Sequence, residues 1–387
     1  MQHRTEPPAT HVQSPPRTGI QGVEHPLWVL GPLPPPVTGM TVLTRTILNA
    51  LESAGPVQSY NWSPGLPRRS LWMRLRRNTR MLRSVWLLLA RGRVRNERLY
   101  MVANSYSGLY TTAIVLFFAK RLGYTVYLHH HVYYYIDEYD ARMARIVRQL
   151  GARDVHIVHC TKMIEDFRKR YPTKSGFHTV YPSIVVDDFG AARTTPRQPM
   201  RLGLLSNLSA AKGLSDALET FTLLAKRGRD VTLTLAGPIA SADSQKIIDE
   251  TIAAYPGRVR SIGPAYGDDK QRFFTEIDVF LFPTKGESWG LVLNESLAHG
   301  VPVITVDRGC TSLVVGGEAG LLIDRNASFA QAAALQVERW IDDNEMYRWA
   351  SEAAIAQAER LRDDGRRTLD DFVQHMFSPL PEAPATG

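Results

Sequence analysis

The chain has 387 residues, 44% hydrophobic and 22% charged, which is too long for one ordinary core and suits two domains of similar size. Its formal net charge of +8 at pH 7 points to an anionic partner: nucleotide phosphates, a membrane surface or nucleic acid. Cys160 and Cys310 are the two cysteines; they form neither a disulfide framework nor a metal-ligand spacing, so a reducing, cytosolic setting is the default.

Residues 1–24 lack the apolar stretch of a secretory signal and read as a tail. No segment reaches the roughly 18 to 20 apolar residues of a spanning helix. Pro26 to Leu30 reads as the first strand. It runs into the proline-rich loop Gly31 to Met40, because prolines continue neither a helix nor a sheet ladder. Thr41 to Leu51 then reads as a helix. The series continues with a strand at Leu99 to Val102 and a helix at Tyr106 to Leu122, closed by Gly123. Strands at Thr125 to Tyr133 and Val155 to Cys160 follow, with Thr161 a candidate cap for the next helix. The polar break at 190–199 is the expected domain boundary. A second series begins at Arg201 to Leu205 and passes through Leu214 to Arg227, Val231 to Ala236, Val259 to Ile262, Lys270 to Glu276 and Val279 to Phe282. It then runs on through Gly290 to His299 and Val301 to Val306, and Asn344 to Phe377 is helical. Alternating strands and helices predict parallel sheets in an α/β fold.

One segment stands out. The apolar strand Val279 to Phe282 stops at Pro283, a loop follows to Ser288, and a helix begins near Trp289 and Gly290. First-turn amides of a helix have no partner within it and favour a phosphate. Gly290 adds no side chain to obstruct an approach. Glu287 lies in the loop and Glu295 about two turns into the helix. Each carboxylate can accept hydrogen bonds from the vicinal hydroxyls of a sugar. On the residues alone, Glu287 can equally be a favourable N-terminal charge and Glu295 a solvated helix residue.

The run Glu287-Ser288-Trp289-Gly290-Leu291-Val292-Leu293-Asn294-Glu295 resembles the Glu-x7-Glu signature of the family 4 retaining glycosyltransferases. The resemblance implies the GT-B fold: two Rossmann-like domains facing across a cleft, with the C-terminal helix crossing back to the first. It assigns 25–190 to the acceptor-side domain, 200–350 to the donor-side domain, 351–377 to C-terminal helices and 378–387 to a tail. It implies that Ser288, Trp289, Gly290 and Leu291 bind the donor, with the amides of Gly290 and Leu291 at the diphosphate, that Glu295 holds the ribose and that Glu287 orients the hexose. Lys212-Gly213 matches the family's Lys-Gly. Asn207 stands near the place of the family's arginine, so Lys212 acts with less help on the diphosphate. Gly237 resembles the family's strand-end glycine and Gly39 its acceptor-side glycine loop. "YLHHHVYYY", Tyr127 to Tyr135, resembles the strand whose histidine faces the donor sugar, and His131 takes that role. His129 shares its face in a strand and His130 points the other way. No Asp-x-Asp motif occurs, and no metal or other cofactor is expected.

The implied activity is metal-independent, retaining transfer of a hexose from a UDP- or GDP-linked donor to a glycan or lipid-linked acceptor in surface polysaccharide synthesis. From Arg68 to Arg98 the chain is crowded with arginine, and Trp72, Leu75, Leu82, Trp86 and Leu89 fit an amphipathic helix. That helix suits an anionic membrane or a solvated charged face, and nucleic acid is not the expected partner. The expected location is the cytoplasm, peripheral on the inner face of the membrane. The competing readings are a non-transferring GT-B enzyme such as a sugar-nucleotide epimerase, a non-catalytic sugar-nucleotide binder, and a basic nucleic-acid-binding protein.

Overall fold

The computed structural model describes residues 27–63, 71–95 and 97–379, with the side chains of 71–74 left out. The tail expected at 1–24, residues 380–387 of the second tail, Pro26, Arg68 and the Trp72 side chain lie outside the described residues.

The strands form two six-stranded parallel sheets. The first holds β1 (Leu27–Gly31), β2 (Val57–Asn61), β3 (Arg98–Val102), β4 (Thr125–His129), β5 (Val155–Val158) and β6 (Gly176–Thr179), in the order β2-β1-β3-β4-β5-β6. The second holds β7 (Met200–Leu205), β8 (Val231–Ala236), β9 (Val259–Ser261), β10 (Val279–Phe282), β11 (Val303–Val306) and β12 (Gly320–Ile323), in the order β12-β11-β10-β7-β8-β9. Strands β1, β4 and β10 are buried at every position, as sheets covered by helices on both faces require.

Each sheet winds outward in both directions from its first strand, so the winding reverses between β1 and β3 and between β7 and β10. Crevices at such reversals, beyond the carboxyl ends of the strands, are where α/β sheets bind ligands. The loops after β1, β7 and β10 carry Gly39, Lys212 and Glu287. Topology therefore brings the motifs to the place where a ligand can sit.

The helix Asn344–Phe377 ties the sheets together. At its start, Tyr347 donates to Asp278 O at 3.1 Å, beside β10. Midway, Ser183 donates to Leu361 O at 2.6 Å. Gly365 is required there, since a Cβ would fall 2.8 Å from Ser183 Oγ and 2.9 Å from Ile184 N. At its end, Arg98 of β3 donates to Met376 O at 2.9 Å. The expected return of the C-terminal helix to the first domain is thus present.

Three expectations are corrected. The strand beginning at Thr125 ends at His129, and Tyr134–Asp137 is a short helix, so His131 lies in the loop beyond the strand end. Thr161 is the first residue of the helix Thr161–Arg170, and Cys160 occupies the cap position without a side-chain bond. Cys160 and Cys310, read as having no disulfide, are bonded to each other across 150 residues of sequence. Cys160 follows β5 and Cys310 follows the loop after β11, so the bond joins the two sheets. Their pairing arises only when the sheets face each other, and no local spacing announces it.

Candidate active site

Strand β10 delivers a loop whose shape is fixed by glycines. Gly290 has φ +80°, and a Cβ there would lie 2.9 Å from the Leu293 side chain. It caps the helix Leu291–Ala298, whose first amides point outward at the end of β10. Gly309, at φ +62°, backs the loop so closely that a Cβ would sit 2.4 Å from Glu287 O.

The loop after β7 locks onto this one. Lys285 donates its backbone amide to Ala211 O at 3.0 Å. Gly213, at φ +73°, presses against Pro283 with room for no Cβ. Lys212 stands between these contacts, and its Nζ donates to Glu287 Oε2 at 2.9 Å. The other carboxylate oxygen, Oε1, accepts from Ser288 N at 3.1 Å. A cation, a carboxylate and the start of a helix therefore share one small region. Glu295 lies further along the same helix, where its Oε1 accepts from Lys270 Nζ at 2.5 Å. Lys270 sits on the helix Asp268–Glu276 and has no counterpart in the sequence reading.

The first sheet closes on the same region. A Cβ on Gly39 would lie 2.9 Å from Leu291 Cδ1, so the glycine lets the loop after β1 approach the helix start. Ser288 Oγ donates to His131 O at 2.9 Å. His131 is thereby held beside the Glu287 loop. A cavity of about 380 Å³ opens between the sheets next to this region, lined by Asp137, Lys162, Asp166, Arg308 and Arg325 among others. Arg308 closes part of it by pairing with Asp137 across the two sheets at 2.5 Å.

The remaining predicted residues are peripheral to this centre. Asn207 is exposed in the loop after β7. Gly237 has φ +129° and abuts Ser206, whose backbone oxygen would clash with any Cβ; it lets the ends of β7 and β8 touch. Trp289 is buried, with its Nε1 donating to Asn294 Oδ1 at 2.5 Å and its ring 5.1 Å from that of Tyr181. It supplies backbone to the loop, while its side chain belongs to the core.

Behind Glu287 lies an unusual group of imidazoles. His129, His131 and His159 pack together, and His130 turns to the opposite face, where its Nε2 meets His156 Nδ1 at 2.9 Å. Burial holds His129, His130 and His131 well below the ordinary histidine range. It pushes His156 and His159 down to about 3. All five are neutral at pH 7.

Residues 199–343 match the family described as Glycosyl transferases group 1. The capsular polysaccharide biosynthesis glycosyltransferase CapM of Staphylococcus aureus is 27% identical over 146 residues, covering 38% of this chain and 37% of CapM. A D-inositol 3-phosphate glycosyltransferase of Corynebacterium urealyticum is 27% identical over 277 residues, covering 65% of this chain and 64% of that protein. The chain thus spans under two thirds of the length of either relative. Among solved structures, Alr3699/HepE of Anabaena in complex with UDP superposes with a TM-score of 0.61 at 17% identity, covering 90% of this chain and all of that one. The fold is GT-B, with two parallel-sheet domains facing across a cleft. Residues 199–343, which carry Lys212, Glu287 and Glu295, form a group 1 glycosyl transferase domain.

Proposed function

We propose that the protein is a retaining glycosyltransferase that moves a hexose from a nucleotide-sugar donor to a glycan or lipid-linked acceptor in surface polysaccharide synthesis. The observation that carries this reading is the Lys212–Glu287 pair set against the start of the helix Leu291–Ala298, where the winding of the second sheet reverses. In the transfer, the bond from the anomeric carbon to the diphosphate oxygen breaks, with its electron pair passing to that oxygen. The acceptor oxygen bonds to the same carbon from the same face, and its proton goes to the departing phosphate. Negative charge grows on the phosphate and positive charge on the sugar ring. Lys212 and the amides of Gly290 and Leu291 stabilise the first. Glu287 orients the hexose, Glu295 accepts from the ribose hydroxyls, and His131 offers its ring to the sugar. A lysine and helix amides in this position do for the leaving group what a metal does elsewhere, in keeping with the lack of an Asp-x-Asp motif. The structure of Alr3699/HepE in complex with UDP supports a UDP-linked donor over a GDP-linked one. The reading is tested by nuclear magnetic resonance of the products from candidate donors with a lipid-linked glycan acceptor. An α-linked product from an α-linked donor is expected. Donor converted without any acceptor would mean an epimerase, and an inverted linkage would remove the retaining assignment.

The helix Leu71–Arg91 supports an acceptor at a membrane surface. Among the described residues, Met81, Val85 and Leu88 face the core, whereas Leu75, Leu82, Trp86 and Leu89 are exposed on another face, Trp86 at 65%. The neighbouring helix Gly108–Leu122 exposes Tyr110, Ile114 and Phe117. A basic helix with a second, outward apolar face is suited to an anionic bilayer surface. No helix among the described residues is long and apolar enough to cross a membrane, and the contact proposed here is peripheral. The protein should sediment with phosphatidylglycerol vesicles and not with phosphatidylcholine vesicles, and Trp86→Glu with Leu89→Glu should abolish it. Equal sedimentation of the double variant would place the acceptor elsewhere.

A further inference from the structure

The three imidazoles behind Glu287 are brought together by register. In the β4–β5 pair, His129 is opposite Ile157. Just beyond the carboxyl ends of the two strands, the rings of His131 and His159 come beside each other. The ring centroids of His129 and His131 are 4.0 Å apart, and those of His159 lie 5.4 and 5.3 Å from them. One ring nitrogen from each residue lies within 4.8 Å of the other two.

The three side chains are buried. The residues are 0%, 8% and 3% exposed. His129 Nε2, His131 Nε2 and both ring nitrogens of His159 have no hydrogen-bond partner among the described residues. Leaving a buried polar atom unpaired costs about 1–3 kcal/mol each, and here four such atoms lie on three rings that pack together. The remaining nitrogen of His129, Nδ1, is engaged by Tyr100 OH at 2.6 Å, which fixes the ring and leaves Nε2 directed inward. A second group that orients a ligating imidazole through its far nitrogen is the usual support of a metal-bound histidine. Zinc bound at about 2.0–2.1 Å to three imidazoles in a tetrahedral site sets their ring centroids roughly 5 Å apart, close to two of the three separations seen.

We propose that His129, His131 and His159 form a binding site for a divalent transition metal of the zinc class, with Tyr100 as its positioning residue. The site adjoins the Glu287 loop through the Ser288–His131 hydrogen bond. His131 Nε2 cannot bind metal and donate to a sugar at once, so on the transferase reading metal and donor exclude each other. Metal binding itself does not depend on that reading.

The test uses the full chain, stripped of metal and dialysed against zinc with a competing chelator, and in parallel titrated with cobalt. One zinc per chain is expected, with the intense visible bands of tetrahedral cobalt. His159→Gln should weaken zinc binding more than 100-fold, and Tyr100→Phe about 10- to 100-fold, with circular dichroism unchanged. If His159→Gln fails to fold, Tyr100→Phe carries the test. Octahedral cobalt spectra, no zinc retained against the chelator, or equal binding by wild type and Tyr100→Phe would overturn the proposal.

Discussion

Lys212→Ala is expected to lower the rate of sugar transfer about 100- to 1,000-fold, the usual effect of removing one preorganised group that stabilises charge on a leaving oxygen. The effect should be this large because few cations share the task. Asn207 occupies the place near which the family carries an arginine, and it is exposed in the loop after β7. Lys285 is the other cation of the paired loops, but its backbone, rather than its side chain, makes the recorded contact with Ala211. The helix amides remain in the variant and supply the residual activity. Stability should change little. The Lys212–Glu287 pair is partly solvated, with side chains 28% and 19% exposed, and such pairs contribute about 0–1 kcal/mol. Steady-state kinetics beside thermal melting separate the two effects. A loss under about threefold in rate would mean that Lys212 does not meet the diphosphate.

Acid should unfold the protein at a higher pH than its carboxylates alone would dictate. His129, His130, His131, His156 and His159 are neutral in the folded chain, held below the ordinary histidine value of 6.5 by burial. The groups facing His130 are Tyr135 and His156, at 3.0 and 2.9 Å, and His129 faces Tyr100. Among the described residues, no carboxylate pairs with these rings to favour the charged form. In the unfolded chain the same imidazoles take up protons below 6.5. The unfolded state therefore binds more protons there, and stability rises with pH through that range. Their contribution is fully present above 6.5 and is lost as the pH falls toward 3. Each such histidine contributes a slope of up to about 1.4 kcal/mol per pH unit below 6.5. Five acting together should remove several kcal/mol between pH 7 and 5.5. Urea unfolding with a chelator present, at intervals across that range, measures it. Stability that stays flat down to pH 5 would mean that the imidazoles are hydrated or charged in the folded state.

The most legible parts of the sequence were those with a continuous local signal. Strand β8 alternates apolar residues with threonine and β10 is an uninterrupted apolar run, each with the bounds expected for it, and Asn344–Phe377 announces itself by length and period. The loop and helix around Glu287 combine a buried strand, a proline stop and a glycine start, which is why this unit was legible as strand, loop and helix. The edge strands β2, β6 and β12 were missed. Each is only partly buried; β2 and β6 lack the apolar run of a central strand, and the run of β12 is only four residues, beginning with glycine. The helix Ala242–Ala254 buries only Ser244 and Ile248 and leaves little periodic signal. The helix Phe329–Asp342 was readable and was overlooked: Ser328 caps it, and Phe329, Ala333, Val337 and Trp340 form a regular buried face. Long-range partners are a different matter. Lys270 meets Glu295 from a separate helix, His159 joins His129 and His131 from a neighbouring strand, and Cys160 reaches Cys310 across the cleft. Each depends on how the strands line up, which no local pattern encodes.

The central claim, that Glu287, Glu295 and Lys212 line a nucleotide-sugar site, is tested most directly by calorimetric titration of UDP, GDP, ADP and dTDP into the metal-free protein and into Glu295→Ala. One nucleoside diphosphate should bind, with UDP the expected choice. Removing the carboxylate that meets the ribose hydroxyls should weaken it about 10- to 100-fold, as losing hydrogen bonds to a charged group does. If none of the four binds, with or without magnesium, or if Glu295→Ala binds as well as wild type, the donor site is not where these residues meet.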